Sequence, residues 1–202
     1  AITSLTLNGG TINVGDGNSL LRIGNDDENP AFGDAAYSIL EITGGTFNLN
    51  GAFNLDDANA RFVMSAGRLN LNPQGSQNLD SDIDIFDLEQ GIVDMTGGTV
   101  TIINPHAVSG SGYAINVGNE GSGDNQVSGI GNLPGTEAIT FGNTFRFGDG
   151  SASLDGSVDG FDLNLSPDHV YSSFLVNNPN GNNRQVELVS AGNDYLMNGN
   201  LI

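Results

Sequence analysis

The sequence predicts an all-β protein whose chain winds into a single-stranded β-solenoid, also called a β-helix. A ten-residue phrase recurs four times, and internal repetition of this kind is typical of stacked-coil architectures. No stretch has the 3.6-residue apolar period of an amphipathic helix. The chain also has 30 Gly among its 202 residues and a hydrophobic fraction of 37%, which fits a thin core with many turns. The copies are LTLNGGTINV from Leu5, LEITGGTFNL from Leu40, FVMSAGRLNL from Phe62 and VDMTGGTVTI from Val93.

Each copy has apolar residues at its first, third, eighth and tenth positions. Because side chains alternate along a strand, this spacing predicts two short strands that meet at a corner and place these positions inside the coil. Equivalent positions of successive coils should stack into interior columns. The columns are Leu5, Leu40, Phe62 and Val93; Leu7, Ile42, Met64 and Met95; Ile12, Phe47, Leu69 and Val100; and Val14, Leu49, Leu71 and Ile102.

A glycine stands at the corner of every copy. Three residues later, a polar residue is expected on the outward side of the strand. Glycine adopts positive φ without steric cost, so we predict that the glycines make the turn. The polar residues predict a ladder of hydrogen bonds between stacked side chains. The glycines are Gly10, Gly45, Gly67 and Gly98, and the polar residues are Asn13, Asn48, Asn70 and Thr101.

A second, looser phrase predicts the next strand of the coil, because it is apolar at alternate positions and ends in a Gly, Asn or Asp turn. It occurs as LLRIGND from Leu20, AFNLDDA from Ala52, YAINVGNEG from Tyr113 and TFRFGDG from Thr144.

The spacing of the copies predicts how the chain is organised. They begin 35, 22 and 31 residues apart, which indicates a coil of 22 residues with insertions near residues 26–38 and 74–84. We predict regular coils over residues 1–120 and less regular β coils over residues 121–202, continuous with the first part. Near the end, YSSFLV and QVELVS flank the turn-rich NNPNGNNR. This arrangement predicts an irregular C-terminal section that forms a cap or a hairpin.

The charge balance limits the possible partners. The chain has 24 acidic residues against five Arg, and its formal net charge is −19. Nucleic acid is disfavoured as a partner, because binding to its backbone requires clustered cations. An anionic membrane surface is disfavoured for the same reason, and no apolar run is long enough to cross a bilayer.

Clustered carboxylates make calcium the one cofactor that the sequence suggests, since Ca²⁺ takes six to eight oxygen ligands. The spacing DxDxD at Asp80 begins like an EF-hand loop, but Ile85 and Gly91 stand where that loop needs Gly and Glu. A solvated acidic surface explains the same residues equally well. The candidate calcium ligands are Asp80, Asp82, Asp84, Asp149, Asp155 and Asp159.

Residues suited to catalysis are scarce in this chain. It has no Cys and two isolated histidines, His106 and His169. Separated imidazoles make neither a zinc site nor a triad, and a chain this acidic contains carboxylate pairs by chance. We therefore predict no enzymatic activity. A polysaccharide lyase or hydrolase that uses Arg22 or Arg61 is the least favoured class.

The phrase LEITGGTFNL, together with LLRIGND and YAINVGNEG, resembles the glycine-rich β-solenoid repeats of bacterial secreted surface proteins. Those repeats include the autotransporter-associated and PEP-CTERM-associated types. The resemblance runs from about Leu5 to Glu120. It implies a secreted protein of the cell surface that acts as a passenger, stalk, adhesin or fibre, and it carries over no catalytic residue.

Two function classes remain open. The ends of a solenoid present unpaired backbone groups and apolar residues, so the protein can be a filament subunit or stalk segment that joins copies of itself head to tail. Alternatively, it can be an adhesin that binds glycan or another surface through its lateral loops, with Tyr37 as a candidate contact. The residues predicted to make the end-to-end contact are Ile2, Leu5, Leu7, Leu196, Leu201 and Ile202.

Overall fold

The computed structural model describes residues 2–24, 37–72, 83–104, 112–118, 127–129, 139–148, 161–176, 186–188 and 196–197. These residues form strands and no helix, and every strand pair is parallel. Parallel pairing is what a chain winding in one direction produces, so the predicted all-β solenoid is confirmed. The strands are β1 Ile2–Ile23, β2 Tyr37–Met64, β3 Arg68–Leu71, β4 Phe86–Met95, β5 Thr99–Ile102, β6 Ile115–Val117, β7 Val127–Ser128, β8 Thr140–Phe147, β9 Phe161–Asn164, β10 Val170–Val176, β11 Val186–Leu188 and β12 Leu196–Met197.

Strand β2 runs through a complete coil and shows that the coil has three faces. The first face precedes the glycine corner, the second follows it, and the third carries the looser phrase. In β2 these faces are residues 37–42, 46–49 and 51–55, and residues 61–64 begin the first face of the next coil. The second face continues from β2 through β3, β5, β8 and β10, and the third through β4, β6, β9 and β11.

The pairing register confirms the interior columns. Leu5 pairs with Leu40 on the first face, and Leu69 lies between Phe47 and Val100 on the second. The column members in the second, third and fourth copies are all buried. Each coil therefore supplies one layer of a continuous core, and stability comes from stacking between neighbouring layers.

The structure contains a fifth copy that the sequence analysis assigned differently. TFRFGDG does not lie on the third face, because Phe145 pairs with Val100 and Phe147 with Ile102 on the second. Gly142 and Asn143 replace the double glycine, and the corner is one residue shorter. Alternation of apolar residues is the same on every face, so without the glycine pair the phrase does not reveal its position.

The predicted C-terminal hairpin is not formed by the described strands. β10 pairs in parallel with β8 and β12, whereas β11 pairs in parallel with β9 on the third face. In a solenoid each strand pairs with the equivalent strand of the neighbouring coil. Two strands that follow each other in sequence, such as β10 and β11, therefore lie on successive faces and do not pair as a hairpin. Strands on both sides of residue 120 join one sheet, since β5 pairs with β8 and β6 with β9.

The four corner glycines have the predicted backbone conformation. Gly10, Gly45, Gly67 and Gly98 have φ values of 74°, 74°, 80° and 82°, a region that other residues rarely adopt. A Cβ atom on Gly45 would also lie 2.6 Å from the carbonyl oxygen of Gly10. The corners of successive coils therefore lie so close through their backbones that a side chain on Gly45 has no room.

Candidate assembly site at the amino-terminal coil

The amino-terminal coil, formed by β1, exposes apolar side chains that later coils bury. Leu5, Val14 and Leu20 are 45%, 38% and 39% exposed. Their partners in β2 are Leu40, Leu49 and Ala52, all fully buried. The difference arises because β1 pairs with β2 alone among the described strands and has an open edge on its other side. The interior columns therefore reach the surface at this end.

A similar exposure occurs at the last described residue of the second face. Val176 pairs with Phe147 and is 37% exposed, whereas Leu49, Leu71, Ile102 and Phe147 in the same column are buried. The column that begins at Val14 is therefore covered along its length and exposed at its first and last described members.

The glycine corner of the amino-terminal coil is also uncovered. A Cβ atom on Gly44 would lie 2.6 Å from the carbonyl oxygen of Asn8 in the preceding coil, and one on Gly142 would lie 2.8 Å from that of Thr96. At Gly9, the equivalent of Gly44, no atom of the other described residues, apart from its two chain neighbours, lies within 4 Å of the Cβ position. Gly9 is also absent from the glycines with positive φ. The space that a preceding coil would occupy is thus open.

The polar ladder predicted beside the corner forms between Asn13, Asn48 and Asn70, but not to Thr101, and it has a direction. The amide nitrogen Nδ2 of Asn70 donates to Oδ1 of Asn48 over 2.8 Å, and Nδ2 of Asn48 donates to Oδ1 of Asn13 over 2.7 Å. Each asparagine therefore donates toward the amino terminus. The Nδ2 group of Asn13 has no partner among the described residues and presents a donor at the open end.

The described residues of the amino-terminal coil carry no net formal charge. Asp16 and Arg22 are the charged residues of residues 2–24, so their formal charges cancel, whereas the whole chain carries −19. The hydroxyl of Ser19 donates to the Asp16 carboxylate over 3.2 Å, and Arg22 Nε lies 3.7 Å from Asp56 Oδ2. The described part of β1 therefore brings no net formal charge to a contact.

The residues predicted to make the end-to-end contact have different outcomes. Leu5 is exposed as described, whereas Leu7 is buried against the next coil. Ile2 lies in β1, and Leu196 lies in β12 opposite Val170. Leu201 and Ile202 lie outside the described residues.

Of the predicted calcium ligands, Asp84 is described and the other five lie outside the described residues: Asp80, Asp82, Asp149, Asp155 and Asp159. The Asp84 carboxylate accepts a hydrogen bond from the backbone N–H of Tyr113, and burial raises its pKa above the usual 3.8. Within the described ranges no three His, Cys, Asp or Glu side chains are grouped so as to hold a metal ion. Calcium binding stays a prediction.

A second polar ladder, missed by the sequence analysis, crosses the third face. Asn54 Nδ2 donates to Asp87 Oδ2 over 2.8 Å, and Asn116 Nδ2 donates to Asp87 Oδ1 over 3.0 Å. Asn164 Nδ2 continues the ladder to Asn116 Oδ1 over 2.8 Å. Its sequence signal is a polar residue between two apolar ones, as in Phe53 to Leu55 (FNL) and the corresponding FDL, INV and LNL.

Asp87 is the acidic member of this ladder, and it is only 8% exposed. Burial is the largest cause that raises its pKa, from 3.8 to about 7, and the charges of Asp84 and Glu89 add to it. The amide hydrogen bonds from Asn54 and Asn116 act in the opposite direction. The ladder therefore contains a carboxyl group that changes charge near neutral pH.

The described surface offers no strongly exposed aromatic side chain that could stack on a glycan. The large apolar side chains exposed there are Leu5, Val14, Leu20 and Val176, and none is aromatic. The side chain of Tyr37 lies outside the described set. No helix among the described residues is long and apolar enough to cross a membrane.

Comparison with models of known protein families, with curated proteins and with solved structures gives no match. The candidate site therefore rests on the geometry of the amino-terminal coil.

Proposed function

We propose that this protein is a non-enzymatic structural subunit or stalk segment of the extracellular cell surface that assembles end to end. The amino-terminal coil of one copy stacks on the last coil of another through parallel β-strand contacts. The observation that carries this proposal is the exposure of Leu5, Val14 and Leu20, whose partners in the next coil, Leu40, Leu49 and Ala52, are fully buried.

The contact has several contributions of modest size. Full burial of an aliphatic side chain stabilises by about 1.5 to 3 kcal/mol. Leu5, Val14 and Leu20 are each about two fifths exposed, so covering them contributes roughly 2 to 4 kcal/mol in total. A new parallel strand on the open edge of β1 adds backbone hydrogen bonds, each with a net contribution of about 1 kcal/mol. The open corner at Gly9 accepts another corner without a steric clash.

Head-to-tail contact favours a filament over a closed dimer. The two surfaces that meet are different, and a heterologous contact of this kind propagates unless its rotation closes a ring. The exposed Val14 and Val176 belong to one interior column, so joining the ends would extend that column from one copy to the next. The extracellular location is supported by the likeness of the repeats to those of bacterial surface proteins.

The proposal is tested by replacing Leu5 with Lys and following assembly by sedimentation velocity and negative-stain electron microscopy over a range of concentrations. Leu5→Lys places a charge in the contact and should leave single short rods. The matched control is Ser65→Lys, which adds the same charge at an exposed position of a central coil and should assemble like the unmodified protein. Equal assembly of both variants, or no assembly of the unmodified protein, would contradict the proposal.

A further inference from the structure

His169 is a fully buried histidine that immediately precedes β10. The pairing of Val170 with Thr140 places His169 next to Ile139, in the interior column of the first face. The described members of that column in central coils, Leu40, Phe62 and Val93, are apolar. A titratable side chain thus occupies a position at which these other coils have an apolar side chain.

Both ring nitrogens of His169 are hydrogen-bonded to backbone groups. The N–H of Ile139 donates to Nδ1 over 3.2 Å. Since Nδ1 is an acceptor, the ring proton of the neutral form sits on Nε2, which lies 3.3 Å from the carbonyl oxygen of Gly118. The imidazole therefore links the start of β8 to the end of the third face, where Gly118 follows β6.

Apolar and uncharged groups dominate the surroundings of the imidazole. The Phe141 ring is edge-on at 5.9 Å between centroids, and Tyr171 stacks on Phe141 at 5.1 Å. The Tyr171 hydroxyl donates to the carbonyl oxygen of Ser166, and residues 112–118 contain no charged side chain.

Among the residues that the structure describes, charged groups on the packed elements do not provide a counter-ion inside the core. Arg146 of β8 and Asp162 of β9 each lie between two buried residues of their strand, on the outward side. Asp168 is the adjacent charge. Burial is the largest cause lowering the His169 pKa below 6.5, and the Gly118 hydrogen bond and Asp168 oppose it only in part.

We propose that His169 is an acid-sensitive latch that holds β8 and β10 onto the coil at Gly118. Protonation puts a hydrogen on Nδ1, which can then no longer accept the hydrogen bond from Ile139. Two N–H groups face each other, and a charged ring is left in an apolar core. Acid therefore opens the coils of β8 and β10, whereas the central coil of β2 stays closed.

The pH range of the latch follows from linkage between protonation and folding. In the opened state His169 has its ordinary pKa near 6.5, and in the closed state the pKa is lower. The opened state therefore binds the proton more tightly. The stabilisation by the latch is complete above pH 6.5 and is lost as the pH falls from 6.5 toward the lowered pKa. In that range the opening equilibrium constant rises up to tenfold per pH unit.

The test compares amide hydrogen exchange at pH 7.5 and pH 5 in the unmodified protein and in His169→Gln. The rates are expressed as protection factors, which removes the effect of pH on the intrinsic exchange rate. Gln offers an acceptor and a donor but does not titrate. Acid should lower protection in residues 140–147 and 170–176 of the unmodified protein and leave residues 46–55 protected. His169→Gln should lose this acid effect, and His106→Gln, which removes the other histidine, should keep it.

Titration of the His169 ring by NMR provides a second measurement that does not depend on a variant folding. A midpoint below 6.5 supports the latch, and a midpoint at or above 6.5 overturns it. An unchanged acid effect in His169→Gln would overturn it as well.

Discussion

The side-chain amide of Asn54 donates to the buried carboxylate of Asp87 over 2.8 Å, at the centre of a ladder that crosses the third face. Every other described member of that ladder from Asn54 to Asn164 is an asparagine, which forms its hydrogen bonds without carrying a charge. Asp87 instead keeps a carboxyl group whose pKa is raised to about 7 by burial and by the neighbouring acids Asp84 and Glu89.

Replacing Asp87 with Asn should therefore stabilise the protein at alkaline pH. The folded state binds the Asp87 proton more tightly than the unfolded state does, so the contribution of Asp87 to stability is lost as the pH rises from about 4 to about 7. Asp87→Asn removes this loss and should raise the free energy of unfolding by about 2 to 4 kcal/mol at pH 8. This gain in the free energy of unfolding should shrink toward zero at pH 4. Urea unfolding at pH 4 and at pH 8 measures it.

Asp94→Asn on the same strand is the matched control, because Asp94 is half-buried and lies outside the ladder. Asp94→Asn leaves the ladder intact and should not reproduce the gain in stability that Asp87→Asn gives at pH 8. If Asp87→Asn were no more stable than the unmodified protein at pH 8, the assignment of a buried charge to Asp87 would be wrong.

Asn48 links two neighbours in the ladder of the second face, donating to Asn13 and accepting from Asn70. Asn48→Ala removes both hydrogen bonds. We expect a loss of about 1 to 2 kcal/mol in the free energy of unfolding, since each bond contributes about 0.5 to 1.5 kcal/mol. Thr43→Ala, at an exposed site in the same coil, is the control in urea unfolding and should change stability by less than about 0.5 kcal/mol.

Phe86 connects the third face with the other faces through ring contacts inside the core. Its ring centroid lies 5.4 Å from that of Phe53, 6.1 Å from Phe62 and 6.0 Å from Phe145. Phe86→Ala should lower the free energy of unfolding by about 3 to 5 kcal/mol, because it leaves a cavity among fully buried rings. A loss below about 1 kcal/mol in thermal or urea unfolding would show that these rings do not form one packed core.

The sequence predicted the parts of the fold that depend on repetition. Equal spacing of apolar residues around Gly45, Gly67 and Gly98 was enough to predict the interior columns, the positive φ values and the asparagine ladder. The fifth copy was assigned to the wrong face because Gly142 and Asn143 shorten its corner by one residue. A pattern that alternates every second residue cannot identify the face on which a strand lies.

The candidate sites were less predictable because they depend on burial, and a local pattern does not reveal burial. Asp87 lies on the outward side of its strand, yet it is almost fully covered. His169 follows Pro167 and Asp168 and resembled a turn residue, whereas the register places it beside Ile139 inside the coil. Exposure of Leu5 and Val14 follows from their position in the first coil, since the same residue types are buried one coil later.

The most direct test of end-to-end assembly compares the same substitution at Gly9 and at Gly44. Gly44→Val should destabilise the fold, because its Cβ would lie 2.6 Å from the Asn8 carbonyl oxygen. A Cβ atom on Gly9 meets none of the described residues beyond its chain neighbours within 4 Å, so Gly9→Val should fold with unchanged stability but obstruct a second copy. Sedimentation velocity of Gly9→Val should therefore show stable single rods under conditions where the unmodified protein assembles. Unimpaired assembly of Gly9→Val would contradict the proposed contact.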